Sequence, residues 1–454
     1  MLEEIRSFHF IGIGGIGMSG IAEILIRQGY RVSGSDQSRG PIVEHLRGLG
    51  ARIELGHKKS NVAQAGAVVY SSAIGSSNPE LREAQRQGIP VLHRAEMLAK
   101  LMHHKQGITI SGTHGKTTTT TIVASILIDA ELDPTVVVGA RVPSIGGNAR
   151  LGAGEYFVIE ADESDRSLLR FKPTHSIVTN IDLDHMDEYR DLDDLENTFL
   201  QHMNSILIEG SLVVCSDDPN LLRAARNVHR PMLTYGLQAG AEISADNVSF
   251  SGSSTCFRVL RDGEPVGDTQ LNLVGRHNLL NSLGATALCL ELGIPFSVIS
   301  GSLERIIGPE RRLERKGERG GIWVVDDYGH HPSEIKASLE ACVQFNRRIL
   351  LVFQPHRFSR TLHLMDEIAA AFDNVDQLYL LDIYSAGEEP IEGVTSTRLA
   401  ELISQHRQVK HVASSEEMLE LLEGEAQSGD LVLTMGAGDV WKIGEAFLEK
   451  KERN

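Results

Sequence analysis

The sequence predicts an α/β fold divided among three domains. Three observations lead to this prediction: the chain has 454 residues, strand-like and helix-like segments alternate along most of it, and two glycine-rich loops each lie between an apolar run and a helical pattern. A chain of this length fills roughly two to four domains of ordinary size. Alternating strands and helices are typical of parallel sheets covered by helices.

The first predicted domain spans residues 1–105. An apolar run at Phe8–Ile13 ends in glycines, and Gly17–Gln28 has helical spacing with Gly29 placed to end the helix. The following strand-like runs are Arg31–Ser33, Ala67–Tyr70 and Ile89–Leu92.

The second predicted domain spans residues 106–308 and begins after the polar segment His103–Gln106. Between Ile243 and Val274, short alternating strands with turns at Ser251-Gly252 and Asp262-Gly263 predict added antiparallel hairpins. The other predicted elements are strands at Ile108–Ser111, Tyr156–Glu160 and Ser176–Ile181, a helix from Lys116 and a helix at Leu279–Leu292.

The third predicted domain spans residues 309–454 and follows the charge-dense segment that starts at Gly308. Strand and helix patterns alternate here again, which predicts another Rossmann-like α/β unit. Its predicted strands are Trp323–Val325, Ile349–Phe353, Gln377–Leu381 and Leu431–Thr434.

Composition excludes several classes of protein. Hydrophobic residues make up 41% and charged residues 23%, as in globular rather than disordered chains. Lys+Arg number 44 and Asp+Glu 61, so the formal net charge is −17. This charge repels phosphate at long range, and we expect neither nucleic acid nor a membrane as a partner. The four cysteines include no C-x-x-C pair, which argues against a disulfide framework or a zinc module.

The sequence also carries an expectation about location. The segment Met1-Leu2-Glu3-Glu4 is acidic in net charge, whereas a secretory signal begins with basic residues. No apolar run approaches the ~18 residues of a membrane span. With dispersed cysteines that are typical of a reducing compartment, these features predict a cytoplasmic protein.

The first glycine-rich loop has the pattern G-x-G-x-x-G, with glycines at Gly12, Gly14, Gly15 and Gly17. Glycine permits the backbone to approach a diphosphate at the helix N-terminus, which indicates a Rossmann-like nucleotide-binding domain. Asp36 lies 19 residues after Gly17, at the position of a ribose-binding acid. The pattern does not name the base, and a tight turn without a ligand is the alternative.

The second loop reads Gly112-Thr113-His114-Gly115-Lys116-Thr117. It predicts a P-loop ATPase-like domain in which the loop surrounds phosphates, the lysine reaches the β- and γ-phosphates and the threonine hydroxyl contacts Mg²⁺. The loop departs from the standard pattern at Ile110, where a glycine is usual. The β-branched run from Thr118 is a poor helix former, a cost that a bound phosphate offsets. A simple dehydrogenase has no use for this second loop.

Acids and a histidine follow two strands of the second domain. The stretch Glu160–Asp165 closes one strand, where carboxylates can hold Mg²⁺ against ATP oxygens. Asp182, Asp184 and His185 follow the next strand in the same way. By itself, His185 is either a ligand to a second metal ion or an exposed loop residue.

Two polar stretches, Asp326–Pro332 and His356–Thr361, follow strands of the third domain and so lie at one edge of its sheet. Arg357 and Arg360 together predict a bidentate clamp for a carboxylate. The alternative is a surface ion pair with a helix cap at Ser359 or Thr361. Arginines repel cations, so an anion site is favoured over a metal centre.

With these motifs, the chain resembles the Mur ligases of peptidoglycan synthesis, in the family's order and spacing across nearly the whole chain. Within that family, the resemblance implies ATP-dependent joining of L-alanine to the lactyl carboxylate of UDP-N-acetylmuramate, through an acyl phosphate and with release of ADP and phosphate. The matching stretches are His9–Gly20, Gly112–Thr117, Glu160–Asp165, Asp184–Met186, Gly275–Asn278, Asp326–Pro332 and His356–Thr361.

The resemblance also implies a role for each group of residues, with Lys116, Glu160 and His185 as the catalytic set and either His330 or His356 as acceptor of the amine proton. It implies a UDP-sugar-binding first domain; separately from the resemblance, we expect a monomer or weak homodimer. The implied UDP-sugar contacts are Gly12, Gly14, Gly15, Gly17, Asp36, Ser71 and Ser72. The implied ATP contacts are Gly112, Thr113, His114, Gly115, Lys116, Thr117, Thr118, His277, Asn278, Asn281, Arg312 and Asp327. The implied Mg²⁺ ligands, with Mn²⁺ able to substitute, are Thr117, Glu160 and His185. The implied amino-acid contacts are Tyr328, His330, His356, Arg357 and Arg360.

Four other functions compete with this one. The nearest is the related ligase that joins UDP-N-acetylmuramate to a whole tripeptide during recycling, and the form of Tyr328–His331 and His356–Thr361 favours free L-alanine over it. Folylpolyglutamate synthase shares the ATP domain but lacks a domain like residues 1–100. A nicotinamide-dependent oxidoreductase leaves Lys116, Glu160 and Asn278 unexplained. A non-catalytic nucleotide-binding regulator has no need of Lys116, Glu160 and His185 together.

Overall fold

A computed structural model describes residues 5–186 and 188–450, and it contains three sheets that follow one another along the chain. Each sheet and its helices form one of the three domains described below, so the predicted three-domain α/β architecture is confirmed. The acidic segment 1–4, with Glu3 and Glu4, lies outside the described residues, and the boundaries at 105/106 and 308/309 stay predictions. Within the described ranges, no helix is both long and apolar enough to cross a membrane.

The first domain is built on five parallel strands, β1 to β5, in the order β3-β2-β1-β4-β5. The strand order reverses between β1 and β4, which is where ligands bind in open sheets of this kind. Its strands are β1 (Ser7–Ile11), β2 (Arg31–Asp36), β3 (Arg52–Leu55), β4 (Ala67–Tyr70) and β5 (Val91–His93), and its helices are α1 (Ile16–Arg27), α2 (Pro41–Gly48), α3 (Pro79–Gln87) and α4 (Arg94–Met102).

The second domain is built on ten strands in the order β15-β14-β13-β12-β11-β10-β6-β9-β7-β8, parallel from β13 to β7. The predicted hairpins are confirmed as β13, β14 and β15, which pair antiparallel. Its strands are β6 (Gln106–Ser111), β7 (Thr135–Val142), β8 (Gly147–Arg150), β9 (Tyr156–Glu160), β10 (His175–Val178), β11 (Leu212–Cys215), β12 (Leu233–Tyr235), β13 (Ile243–Ser251), β14 (Ser254–Arg261) and β15 (Glu264–Leu271), and its helices are α5 (Lys116–Asp129), α6 (Leu192–Ser205), α7 (Pro219–Ala225), α8 (Arg276–Glu291) and α9 (Phe296–Arg305).

The third domain has six strands in the order β16-β17-β21-β18-β19-β20, and all neighbours are parallel except β16 and β17. Its strands are β16 (Glu314–Arg319), β17 (Ile322–Asp327), β18 (Ile349–Phe353), β19 (Gln377–Leu380), β20 (Lys410–His411) and β21 (Leu431–Met435), and its helices are α10 (Pro332–Val343), α11 (Phe358–His363), α12 (Met365–Ala369), α13 (Ser396–Ile403), α14 (Ser415–Glu425) and α15 (Trp441–Glu449).

The clusters of buried apolar side chains do not correspond one to one with the three domains. One cluster of buried apolar side chains runs from Ile5 to Ile306 and includes residues of both the first and second sheets. The third domain has two clusters of its own, on opposite faces of its sheet, with Val324 in one and Val325 in the other. The first two domains therefore share a core that the third does not join.

Helix α1 makes the joint between the first two domains, because it packs against β7 and β8. Gly20 lies so close to Val137 that an added Cβ would sit 3.2 Å from its side chain. Asn148 of β8 donates from Nδ2 to the carbonyl of Ile16 at 2.6 Å and to Oγ of Ser19 at 3.0 Å. The helix that follows the first glycine-rich loop is thus fixed to the second domain.

Candidate active site

The second glycine-rich loop connects β6 to α5, and two of its glycines are required by geometry. Gly112 has φ +129° and Gly115 has φ +83°, conformations that side chains rarely adopt. An added Cβ would collide with Oγ1 of Thr179 at the first position and with Oδ1 of Asn281 at the second. Thr179 Oγ1 also donates to the carbonyl of His114 at 2.6 Å. The predicted strand Ser176–Ile181 ends at Val178 because the next residues bind this loop.

Lys116 begins helix α5 and turns its ammonium into the loop. Nζ donates to the carbonyls of Gly112 at 2.6 Å and Thr113 at 3.1 Å, and to both carboxylate oxygens of Glu163 at 2.8 and 2.7 Å. Burial disfavours the charge, but the nearby carboxylates, led by Glu163 and then Asp162, outweigh it and raise the pKa of Lys116. The lysine is therefore a fixed positive charge at the mouth of the loop.

The residues predicted to bind metal form two groups. Glu160 accepts from the Thr117 side chain and from the Gly139 N–H at 2.8 Å, and burial raises its pKa. A hydroxyl beside a desolvated carboxylate is an oxygen set that suits Mg²⁺. His185 instead lies 3.7 Å from Glu163 and 3.6 Å from Asp184, and burial lowers its pKa and leaves it neutral, as a metal ligand must be.

A cavity of about 430 Å³ opens beside the loop, between the second and third domains. Its size is within the range of small-ligand sites. Of the residues predicted to contact ATP, eight line it: His114, Gly115, Thr118, His277, Asn278, Asn281, Arg312 and Asp327. It is also lined by Asp182, one of the acids that follow the predicted strand Ser176–Ile181, and by acids and an amide that sequence reasoning did not single out: Asp217, Asp218, Asn220 and Glu334.

Charged side chains join the second and third domains across this cavity. His114 Nε2 donates to Asp182 at 3.0 Å, and its Nδ1 lies 3.4 Å from Glu334 of the third domain. Burial lowers the pKa of His114, but these two acids raise it to about 9. Arg312 pairs with the same glutamate at 3.4 Å, and Ser333 Oγ donates to Asp182 at 2.5 Å. A protonated imidazole thus bridges the phosphate loop to the third domain.

Three predicted amino-acid contacts form one cluster at the edge of the third sheet. The rings of His330 and His356 are 5.8 Å apart, and Tyr328 lies 5.5 Å from His330. His356 Nδ1 accepts from Arg360 at 3.3 Å. Burial lowers the pKa of His330 to about 4 and that of His356 to about 3. Both imidazoles are therefore neutral at pH 7.

The two predicted clamp arginines have different partners. Arg360 reaches across the domain boundary to Asp184, with contacts of 3.3 and 3.4 Å between side chains that are 9% and 8% exposed. The pair is therefore buried and is not a surface ion pair. Arg357 donates from Nε to Glu388 at 2.5 Å, and Glu388 also accepts from the N–H and hydroxyl of Ser359 at the start of α11. A glutamate from a distant loop, not Ser359 or Thr361, caps this helix.

In the first domain, Asp36 binds the glycine-rich loop itself. Its Oδ2 accepts from the Gly14 N–H at 2.8 Å, so this acid fixes the loop in addition to any contact with a ligand. An added Cβ at Gly17 would lie 2.8 Å from Nη1 of Arg94, which places a guanidinium above the last glycine. Asp162 is the partner of this arginine, at 3.7 Å.

Ser71 and Ser72 follow β4 beside this loop. Ser72 Oγ donates to Asp165 of the second domain and lies 3.0 Å from His93 Nε2. The carbonyl of Ser71 accepts from the Ile74 N–H at 2.9 Å, which closes the turn after the strand. The second of the two serines therefore lies at the contact between the first and second domains.

Three family models match successive parts of the chain. They are described as the Mur ligase family catalytic domain at residues 7–106, the Mur ligase middle domain at 110–289, and the Mur ligase glutamate ligase domain at 311–438. The chain belongs to the Mur ligase family. Its three domains thus correspond to the three parts that the family models describe.

Known proteins align with this Mur ligase over nearly its full length. The UDP-N-acetylmuramate–L-alanine ligase of Syntrophotalea carbinolica is 48% identical over 452 residues, which cover 99% of each chain. The crystal structure of the UDP-N-acetylmuramate-alanine ligase of Thermotoga maritima has a TM-score of 0.84 at 27% identity and covers 98% of each chain. A murein peptide ligase from Psychrobacter arcticus has a TM-score of 0.72 at 23% identity over 98% of each chain, which shows a shared fold.

Sequence reasoning on this Mur ligase missed Glu163, Glu334, Glu388 and Arg94. Glu163 lies within a motif that was singled out, but three other acids of the same stretch were equal candidates. Glu334 completes a local capping box with His331 at the start of α10, but its contacts with His114 and Arg312 arise only through the tertiary fold, as does the contact of Glu388 with Arg357. Arg94 follows His93 at the start of α4, and a basic residue at a helix start gives no signal that it lies above a glycine loop.

Proposed function

We infer that this Mur ligase joins L-alanine to UDP-N-acetylmuramate at the expense of ATP, as a step of peptidoglycan synthesis. The observation that carries this function is the placement of two consecutive residues. Asp184 contacts Arg360 in the predicted amino-acid site, and His185 contacts Glu163, the partner of Lys116 in the phosphate loop. The site for an amino-acid carboxylate and the site for nucleotide phosphates are thus neighbours at one domain boundary.

We assign the sugar nucleotide to the first domain and ATP to the second. The Gly12–Gly17 loop and the N-terminus of α1 suit a diphosphate, with Arg94 as an additional cation. Lys116 offers its charge to the β- and γ-phosphates, and the cavity lined by Asn278 and Asn281 receives the rest of the nucleotide. Thr117, Glu160 and His185 would hold Mg²⁺, which when bound neutralises charge on the transferred phosphoryl group.

The chemistry proceeds in two balanced steps. A lactyl carboxylate oxygen forms a bond to the γ-phosphorus as the bond to ADP breaks, and Lys116 stabilises the developing charge. The nitrogen of L-alanine then bonds to the acyl carbon of the resulting acyl phosphate, and phosphate leaves with the electrons of the broken C–O bond. The amine gives up a proton during this second step, so a neutral base must lie beside it.

The hydrogen bonds of the two candidate histidines favour His330 as this base. His330 Nδ1 faces the carbonyl of Tyr328 at 2.9 Å, and a carbonyl can only accept, so Nδ1 carries the proton and Nε2 has a free lone pair. His356 Nδ1 accepts from Arg360, so its proton lies on Nε2. We propose that His330 accepts the proton and that His356 orients Arg360 toward the alanine carboxylate.

Phosphate release from ATP tests the proposal directly. With Mg²⁺ and UDP-N-acetylmuramate present, we expect release that requires free L-alanine and is not supported by the tripeptide L-Ala-γ-D-Glu-meso-diaminopimelate. Release that requires the tripeptide would instead identify the recycling ligase. The absence of any release with either amine would contradict the ligase function. Family membership already favours a ligase over the nicotinamide-dependent oxidoreductase suggested by the first loop.

The remaining expectations stay predictions. They are a monomer or weak homodimer, the lack of a nucleic-acid partner, a cytoplasmic location, the use of Mn²⁺ in place of Mg²⁺ and the domain boundaries at 105/106 and 308/309. Gel filtration with light scattering decides the first, and turnover with each divalent cation decides the fourth.

A further inference from the structure

Glu163 has a contact that the proposed reaction does not explain. Among the described residues, it is the acid whose carboxylate lies within hydrogen-bond distance of Lys116, with both oxygens on Nζ at 2.8 and 2.7 Å. The glutamate side chain is 1% exposed and the lysine side chain 15%. Two loop carbonyls also accept from Nζ, and an ammonium has only three protons to donate. Protein oxygens therefore use all the donors of Lys116.

The backbone of Glu163 is fixed from the other side. The Tyr189 hydroxyl donates to the Glu163 carbonyl at 2.6 Å, and the Arg166 N–H donates to it at 3.0 Å. The Arg166 guanidinium in turn lies 4.4 Å from the centre of the Tyr189 ring. The carboxylate is thus held beside Lys116 by a rigid support.

A nucleotide phosphate and this carboxylate need the same three protons. Because of this competition, the apparent affinity for the nucleotide is reduced to the fraction of molecules in which Lys116 is free of the carboxylate. We propose that Glu163 is a positioning residue that holds the Lys116 ammonium at the phosphate loop and restrains ATP binding by competing with the γ-phosphate for it. The inference rests on the proposed role of Lys116 in binding nucleotide phosphates.

The segment that carries Glu163 also contacts the first domain. Asp165 accepts a hydrogen bond from Ser72, and Asp162 lies 3.7 Å from Arg94. Ser72 and Arg94 both belong to the proposed sugar-nucleotide site. A sugar nucleotide that takes Ser72 and Arg94 as its partners withdraws them from these two acids. The segment then loses two of its contacts with the first domain and keeps the one between His93 and Asp165, and the hold of Glu163 on Lys116 weakens when the acceptor is bound. The restraint thus links ATP use to the presence of the acceptor.

Glu163→Gln tests the competition, because it keeps the shape of the side chain and removes its charge. We expect the variant to bind the ATP analogue AMP-PNP, with Mg²⁺, about tenfold more tightly than the wild type in calorimetric titration. The gain for ADP is smaller, because ADP lacks the phosphate that competes. The KM for ATP falls, and phosphate release without UDP-N-acetylmuramate rises above the wild-type background.

Glu188→Gln is the matched control. Glu188 is exposed and pairs with Arg166 at 3.1 Å, so the change removes the same charge nearby without touching Lys116. Its affinity for AMP-PNP should remain within about twofold of the wild type. A further comparison uses Lys116→Met, in which the added change Glu163→Gln should produce no gain at all.

Unchanged or weaker AMP-PNP binding by a folded Glu163→Gln variant overturns the inference, and so does a gain that persists in the Lys116→Met background. If Glu163→Gln does not fold, Glu163→Asp takes its place, because the shorter side chain withdraws the carboxylate from Nζ and the same gain is expected. A wild-type protein that binds neither nucleotide would contradict the proposed function itself, which is a separate result.

Discussion

The buried ion pair between Asp184 and Arg360 allows a quantitative test of how much the contact between the second and third domains contributes to stability. Burial raises the pKa of the Asp184 carboxyl, but Arg360 and the neighbouring histidines lower it well below its ordinary value. Asp184→Asn keeps the hydrogen bond that its Oδ1 accepts from the His185 N–H, but it leaves the buried arginine charge with no carboxylate partner among the described residues. Loss of one partner of a buried pair costs about 3–5 kcal/mol. The contacts of 3.3 and 3.4 Å are long, so we expect about 3 kcal/mol.

Tryptophan fluorescence provides the assay, because the two tryptophans of the chain, Trp323 and Trp441, both lie in the third domain. Urea unfolding followed by this signal reports the free energy of unfolding of that domain. The control is Glu401→Gln in the same domain, since Glu401 pairs with Arg398 but the two side chains are 59% and 54% exposed. Exposed pairs contribute little, and the control should shift the free energy by less than about 1 kcal/mol.

A double variant completes this test. Asp184→Asn combined with Arg360→Met removes both charges, and its loss of stability should be smaller than the sum of the two single losses. The reasoning is refuted if Asp184→Asn is as stable as the Glu401→Gln control, because a buried and unpaired arginine cannot be without cost.

Three further predictions concern other parts of the molecule. Lys116→Ala should reduce phosphate release by about 10³-fold while calorimetry shows an unchanged affinity for UDP-N-acetylmuramate; near-normal turnover would contradict the role of the lysine. The pKa of His114 is raised from 6.5 to about 9, so its protonation stabilises the folded protein fully below about pH 6.5, and this contribution is lost as the pH rises through 9. We expect a decline of at most about 3 kcal/mol in urea unfolding over that interval, and His114→Gln should flatten it. Asn148→Ala removes the donor to the Ser19 hydroxyl and one of the donors to the Ile16 carbonyl, which still accepts from Ser19 Oγ at 3.0 Å, and should lower the free energy of unfolding by about 1 kcal/mol, whereas Asn227→Ala on an exposed surface should have almost no effect; equal values for both would show that the joint is not a stabilising contact.

The sequence predicted regular elements well where their pattern was strong. The strands Tyr156–Glu160 and Ile349–Phe353 have the predicted bounds, and both hairpin turns after β13 and β14 are in the predicted places. Strands β7 and β8 were missed for a physical reason. The apolar part of β7 is followed by exposed residues, and the register shifts between Val137 and Val142. Strand β8 has no alternating pattern and forms against helix α1 of another domain.

Residues of the candidate site also differ in how far away the residues that determine their roles lie in the sequence. Loop residues such as Gly112 and Lys116 were predictable, because glycine conformation and lysine reach act within a few residues. The choice of Glu163 over its acidic neighbours depends on a turn fixed by Tyr189, which is 26 residues away. Likewise, Glu388 lies 31 residues from Arg357, and no local pattern connects them. What the sequence could not provide was the partner of each charge.

The shared core of the first two domains bears on how the family could acquire new substrates. Because that core ends at Ile306 and the third domain has two clusters of its own, the third domain is a module that evolution can change without repacking the core of the other two. Substitutions at its amino-acid cluster alter which amine is accepted, while the two glycine-rich loops stay joined as one inherited unit. A chimera that carries the third domain of another family member should therefore keep the affinity for the sugar nucleotide and change the amine that it joins, and it should keep the affinity for ATP where the incoming domain has counterparts of Arg312 and Asp327.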